Sequence, residues 1–533
     1  MSSTERIPIV VGVSAHRRVR AQDRAALLGA VREQLRELSL RCPNSPLLML
    51  SSLAEGGDLL CADVAEELGI PLIAVLPLER AEYEQDFTPE GRECLAHHCA
   101  RALHVFVAPP TEDVPPSPSR SFFYRQAGVY VSAHCHVLLA LWDGEESKEP
   151  HCGTAAAVDF SLRGAYSPAA GVSLRCDSNE AVIHVLTPRG EESAGTAGTV
   201  RVLGNRGALQ DTLKKTDEFN RLAAAQAAPE GTLLPLPVGR GETDGRMERL
   251  YLTADALSLR FAAIYRRILA CLAAASTALT IAFLLYDEAE AIWMILVCGA
   301  MLLSAALLQR TARRTACHRR YIEYRVLAEC LRVQLYLRYA GSRAEAAELM
   351  TWTQQEETGW IMDALCALTI GAEKGEAHDI RECWITEQRD YHRRAEGKAE
   401  RSAAVSERIV KTALLLSVVL YFAALLFELF CGGALLGRTP TVADPALYRT
   451  ALKITLGSIS AATLFIANYY GRLSLPRALS DHGKMRRFYE KMLAQTALRG
   501  QTEELLRTLG REELIENGDW CSYQRDNTPD ISF

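Results

Sequence analysis

The sequence predicts an α/β domain with a doubly wound parallel sheet, followed by an all-α membrane domain with four transmembrane helices in two hairpins. Three observations predict this. Short apolar, β-rich runs alternate with helix-like stretches over the first 190 residues. Four long apolar runs then follow, each near the length that crosses a bilayer core as helix. Lys and Arg flank each pair of runs on one side.

The first strand is Ile7 to Val13, bounded by Ser14, and a helix-like stretch covers 21–38. Leu47 to Leu50 is the second strand, followed by a polar loop and a helix to Leu68. Pro71 to Leu76, Leu103 to Val107 and His136 to Leu141 are further strands. In doubly wound sheets, ligands sit at the carboxyl ends of the strands. The polar residues that stand out fall there. Strand one ends in Gly12, Ser14, His16 and Arg17. Strand two ends in Ser51, Ser52, Glu55, Gly56, Gly57 and Asp58. The strand at 136–141 ends in Trp142, Asp143 and Gly144, and Cys152, Gly153 and Thr154 then open a helix. Glycines allow close backbone approach, and a helix N-terminus attracts anions. Arg17 suits bidentate phosphate binding. Glu55, Asp58 and Asp143 suit ribose hydroxyls. Together the three loops predict a site for a nucleotide or nucleotide-derived ligand; the residues assign no cofactor.

The spans are 268–286, 291–308, 412–436 and 454–470. The first two are uncharged and joined through Asp287, Glu288, Ala289 and Glu290. The third is apolar except for Glu428, an intramembrane carboxylate and so a functional candidate. The fourth has 17 residues, near the lower limit, with Arg449 and Lys453 placed to snorkel. Arg266, Arg267, Arg310, Arg313, Arg401, Arg408, Arg472 and Arg477 put both termini and segment 311–411 in the cytosol of a multi-pass protein of the cytoplasmic membrane. The N-terminus lacks a signal-peptide pattern, which also keeps the first domain in the cytosol.

The hairpins read as two copies of one unit. Each is followed by a charged helix, at LRYAG (337–341) and TALRG (496–500), and then by a Gly-Trp corner, at EETGW (356–360) and IENGDW (515–520). The expected domains are therefore 1–190, a linker with a helix over 191–246, and two two-span units at 247–381 and 382–533. The stripe Tyr321, Tyr324, Leu327, Leu331 and Leu335 reads as an assembly surface within the chain or in a homo-oligomer.

Composition excludes several classes. A net charge of −6 gives no basic field for nucleic acid. The 15 cysteines include no CxxC pair, which speaks for reduced thiols over a disulfide scaffold. His97-His98-Cys99 and His134-Cys135-His136 hold neighbours that point in different directions, so no metal is expected.

VGVSAHRR, SSLAEGGDLLCADVAEELG, PLIAVLP, RQAGVYV, LLALWDG and CGTAAAV, in this order over about residues 5–190, resemble the SLOG superfamily. This Rossmann-like group includes DprA-like proteins and the LOG phosphoribohydrolases. The two-span repeats and ENGDW resemble SLATT-type effectors. The resemblance implies a bacterial antiphage or conflict-system protein whose SLOG domain senses a nucleotide and whose membrane helices act on the bilayer. The chain departs from the family in two places. Ala15 stands where the first loop has glycine before His-Arg, and Ala156 and Ala157 stand where the phosphoribohydrolases have glutamates. Glycosidic cleavage needs such a carboxylate. The expectation is therefore a ligand-gated membrane effector without catalytic residues. A membrane-tethered nucleotide hydrolase and a structural scaffold are the alternatives.

Overall fold

The computed structural model describes residues 6–110, 114–145, 152–164, 181–189, 195–226, 242–288, 291–372, 376–432, 437, 439, 441–472 and 475–526. Seven strands form one sheet: β1 (Ile9–Ala15), β2 (Leu47–Ser51), β3 (Leu72–Leu76), β4 (His104–Val107), β5 (Val137–Trp142), β6 (Ala181–Leu186) and β7 (Val200–Gly204). Their order is β4-β3-β2-β1-β5-β6-β7. Every pairing is parallel except β6 with β7. The predicted parallel sheet is present and two strands longer than expected. Its last strand lies in a stretch that reads as linker, where a short run between glycines gives little periodicity.

The strand residues divide by parity, as a pleated sheet requires. Ile9, Val11, Val13, Met49 and Leu139 face one way. They meet α1 (Arg24–Arg41), α2 (Gly57–Glu67) and later helices through Leu27, Leu35, Leu60 and Leu95. Val10, Leu48, Leu50, Ile73, Leu138 and Ala140 face the other way and meet Ala127, Tyr130, Val131 and Val158. Burial on both faces explains why these strands read as unbroken apolar runs rather than alternating ones.

The remaining helices are α3 (Arg80–Tyr83), α4 (Pro89–Arg101), α5 (Arg120–Ala133), α6 (Gly153–Arg163), α7 (Arg206–Ala224), α8 (Glu242–Glu288), α9 (Met294–Thr315), α10 (Cys317–Tyr339), α11 (Ala346–Leu349), α12 (Trp352–Glu357), α13 (Gly359–Thr369), α14 (Glu387–Phe427), α15 (Pro445–Arg472), α16 (Leu475–Arg499) and α17 (Glu503–Asp526). The chain divides into two compact units, with α8, α10 and α17 running across their boundaries. The first is Met1–Leu257, Glu323–His378 and Thr502–Ser522. The second is Ser258–Ile322, Asp379–Gln501 and Tyr523–Phe533.

In the first unit, helices from far along the chain complete the sheet domain. Ala367 and Ile370 join the core beneath the strands. The α7 helix buries Leu209 and Leu213 in the core on the other face. Its Phe219 lies 5.5 Å from Tyr324 and 6.3 Å from Trp360, ring to ring. Tyr324, Leu327, Leu331 and Leu335 are all buried, so most of the apolar stripe on α10 is covered within this chain. The two Gly-Trp segments also meet here. Gln354 donates to Asn517 at 3.4 Å, and a Cβ on Gly518 would lie 2.9 Å from Gln354. Gly341 and Gly500 adopt positive φ, at +69° and +72°, and each ends the helix before it.

In the second unit the apolar surface faces outward. Three described helices are long and apolar enough to cross a membrane: Thr243–Glu288, Met294–Tyr339 and Arg381–Cys431. They overlap the spans expected at 268–286, 291–308 and 412–436, with residues 433–436 outside the described residues. The fourth expected span, 454–470, falls on α15, and its side chains from 464 to 470 lie outside the described residues. Three spans, rather than four, therefore stand on the described residues. The fourth is the shortest, and Arg449 and Lys453 precede it. Glu428 is not a lone carboxylate: Arg449 donates to it through Nε and Nη2, the second bond at 2.8 Å. Lys453 pairs with Glu288 at 2.9 Å. A Cβ on Gly457 would lie 2.8 Å from Leu284, so α8 and α15 pack closely at a small residue, as membrane helices do.

Candidate functional site

The chain runs outward from β1 to β4, then returns to place β5 on the other side of β1. The crevice at the carboxyl ends of β1 and β5 is the switch point where open α/β sheets bind ligands. Three residues from three loops meet there. His16 follows β1, Asp143 follows β5, and Arg189 follows β6. His16 Nε2 lies 3.2 Å from Asp143 Oδ1, Arg189 Nε lies 3.0 Å from Asp143 Oδ2, and Arg189 Nη2 lies 2.7 Å from His16 Nδ1.

The Asp143 N–H donates to His16 Nε2 at 3.0 Å, and Arg189 Nη2, which can only donate, faces Nδ1 on the other side of the ring. Burial and the Arg189 charge lower the His16 pKa to about 4, which keeps the ring neutral near pH 7. Asp143 is only 9% exposed, whereas Arg189 is 53% exposed. The triad thus presents a cation at its surface and keeps its carboxylate inside.

Arg17 supplies a second cation. Its guanidinium lies 4.8 Å from the centre of the Tyr124 ring, and Nη2 is 3.9 Å from Asp86 Oδ2. Burial opposes its charge, but Tyr124 and Asp86 outweigh this and raise its pKa. Asp86 also accepts from Tyr124, and from Arg120 at 2.8 Å. Burial alone would raise the Asp86 pKa; these two bonds lower it.

The β2–α2 loop does structural work. Gly56 has φ +99°, and a Cβ there would lie 2.0 Å from the Arg17 carbonyl oxygen. A Cβ on Gly57 would lie 2.5 Å from the Ala15 methyl. The Gly57 N–H donates to the His16 carbonyl at 2.9 Å. These glycines let two loops touch, and Ala15 makes the second one mandatory. Asp58 is buried and accepts from Ser51 Oγ at 3.2 Å and the Ala54 N–H at 3.3 Å. Burial raises its pKa to about 7, against the opposing effect of those bonds. Glu55 accepts from the Thr88 N–H at 3.2 Å and from the Thr88 hydroxyl, at the start of α4. The Ser52 carbonyl accepts from the Tyr83 hydroxyl at 3.1 Å.

The other predicted residues divide by position. Ser14 and Gly144 lie at the strand ends, and Gly144 adopts φ +88° close to His184. Gly153 and Thr154 open α6, with Gly153 at φ +80°. Gly12 lies inside β1 instead, where a Cβ would lie 2.7 Å from the Cys135 sulfur. It serves packing and does not line the crevice. Sequence reasoning missed Arg189, Asp86 and Tyr124. The run AVIHVLTPRG (181–190) carried a signal for the first, being an apolar strand closed by Pro and Gly. Asp86 and Tyr124 have no such signal.

No family model matches this chain, and no curated protein matches it. The sheet topology defines a Rossmann-like domain, and the apolar helices fit a membrane protein.

Proposed function

We propose that this chain is a membrane effector governed by a nucleotide-derived anion bound at the carboxyl ends of β1 and β5. One observation carries this reading: His16, Asp143 and Arg189 converge at the switch point with their positive group outward. Arg17 and the α6 N-terminus, at neighbouring strand ends, supply further donors for phosphate. The resemblance to SLOG domains and SLATT-type effectors supports the same division into sensor and membrane output, in a bacterial antiphage or conflict system. The Lys and Arg that flank the spans support the cytoplasmic membrane and cytosolic termini, and assembly as a homo-oligomer belongs to the same proposal.

Binding is favoured over turnover by how the carboxylates are used. Glu55 caps onto Thr88, Asp159 pairs with Arg163 at 3.2 Å, and Asp143 is held by His16 and Arg189. Ala157, where the hydrolases place a glutamate, is buried in the core. A bound ligand acts on the spans only if it prefers one conformational state.

The test is mass spectrometry of nucleotides that co-purify with the full chain, followed by dye release from liposomes carrying it. A nucleotide should co-purify, and adding it should change the leak. Arg17→Ala combined with Arg189→Ala should abolish both effects. Absence of any bound nucleotide, together with no leak from the nucleotide pools tested, would sink the proposal.

A further inference from the structure

A second cluster of chemistry-bearing side chains lies away from the crevice, between α2 and α4. We propose that Glu66, His97 and His98 form a binding site for a divalent transition cation of the Zn2+ class. Adjacent histidines on one helix point apart, which argues against a site when they are considered alone. The structure adds the missing partner from a second helix. Glu66 Oε2 lies 2.8 Å from His97 Nε2 and 3.7 Å from His98 Nδ1. One donor atom from each of the three residues lies within 4.8 Å of the others. Donors around tetrahedral zinc sit roughly 3.3–3.5 Å apart. Side-chain rotations of about 1 Å therefore close the set on a metal.

The outer partners are the stronger argument. His98 is buried, and its Nε2 lies 3.0 Å from Asp63 Oδ1. A carboxylate accepts, so Nε2 carries a proton for Asp63 and Nδ1 is the ring atom turned toward Glu66. Nδ1 and Glu66 Oε2 are too far apart for a hydrogen bond, so this pair of donor atoms leaves a gap that a cation would bridge. Histidine ligands of metals characteristically donate their other N–H to a carboxylate in this way. The second shell continues outward. Arg24 holds Asp63 Oδ2 at 3.1 Å, and Arg101 Nε holds Glu66 Oε1 at 2.9 Å, which leaves Oε2 for the metal. His97 is half exposed and gives the cation an entry path. Three protein ligands leave a further position for water.

The test uses the full chain in detergent, with any histidine tag removed and metal stripped by EDTA, titrated with Zn2+ and separately with Co2+. One equivalent should bind, and Co2+ should develop visible d–d absorption. His97→Gln and Glu66→Gln should each lose that equivalent while unfolding at the wild-type temperature in EDTA. Asp63→Asn should retain the site with affinity weakened about 10–100-fold. His98 is buried and its removal threatens folding, so the exposed His97 carries the decision. If wild type binds no more metal than the His97→Gln and Glu66→Gln chains, the cluster is an ion-pair network only and the proposal is overturned. Failure here leaves the nucleotide reading untouched, since the two sites share no residue.

Discussion

Leu139 and Leu415 are the same residue in opposite circumstances. Leu139, in β5, is 1% exposed, and Leu415, in α14, is 64% exposed. Around Leu139, every neighbour on its face is covered by helices. Around Leu415, the most apolar window of Arg381–Cys431 has no buried residue. A contiguous apolar surface of this length is not stable against water. It is what a helix shows when its surroundings are hydrocarbon, with all backbone bonds satisfied internally. The sheet domain and the spans therefore use one amino-acid alphabet for two solvents.

The largest expected difference comes from truncation. Leu139→Ala should destabilise the fold by ~2–5 kcal/mol, because it empties a packed site. Leu415→Ala should leave thermal unfolding in detergent nearly unchanged. Equal losses at the two positions would break the comparison. Charge sharpens it from the other side: Phe422→Arg should disfavour insertion by ~2.5–3.5 kcal/mol, read by membrane fractionation of the expressed chain.

Glycines offer a subtler contrast. Gly56→Ala drives a methyl into the Arg17 carbonyl at positive φ and should cost ~1–3 kcal/mol in unfolding free energy. Gly397→Ala, in α14 with nothing within 4 Å, should stabilise by ~0.5–1 kcal/mol. Chemical denaturation of both variants measures the sign as well as the size.

Titration should appear in the sheet domain. Asp58 has its pKa raised from 3.8 to about 7, so the folded state holds a proton that the unfolded chain has lost. That stability is full below pH 4 and disappears as pH rises through 7. His16 has its pKa lowered from 6.5 to about 4, so its contribution is present above 6.5 and lost as pH falls through 4. Asp58→Asn should flatten the fall toward pH 7, and His16→Gln the fall toward pH 4, in melting curves taken across pH 4–8. An unchanged slope in Asp58→Asn would remove the buried acid from the account. The smallest effect belongs to Lys453→Ala, whose exposed pair with Glu288 should contribute only about 0–1 kcal/mol. High salt should erase even that difference in melting temperature.

Strands β1 to β5 were legible in the sequence; the buried apolar strand β6 was not read. β1, β2, β3 and β5 were readable because burial on both faces makes them continuous runs. β7 was not, since an edge strand between glycines lacks periodicity. Within the site, His16, Arg17 and Asp143 were readable because they follow strands directly. Glu55 and Gly12 carried the same local signal but are used for capping and packing. Only their neighbours, Thr88 and Cys135, show the difference.

By itself, the sequence determined the alternation of strands and helices, three apolar helices of membrane length, and the strand ends where polar loops emerge. Each depends on periodicity or run length, which neighbours along the chain set. The tertiary structure alone decided which distant groups meet. It brought Arg189 to His16 across 173 positions, Glu66 to His97 across 31, and Ala367 to the underside of the sheet. No local pattern encodes such pairs. They form because burying both faces of the sheet and docking its helices requires closing long loops, and the side chains carried on those elements arrive together.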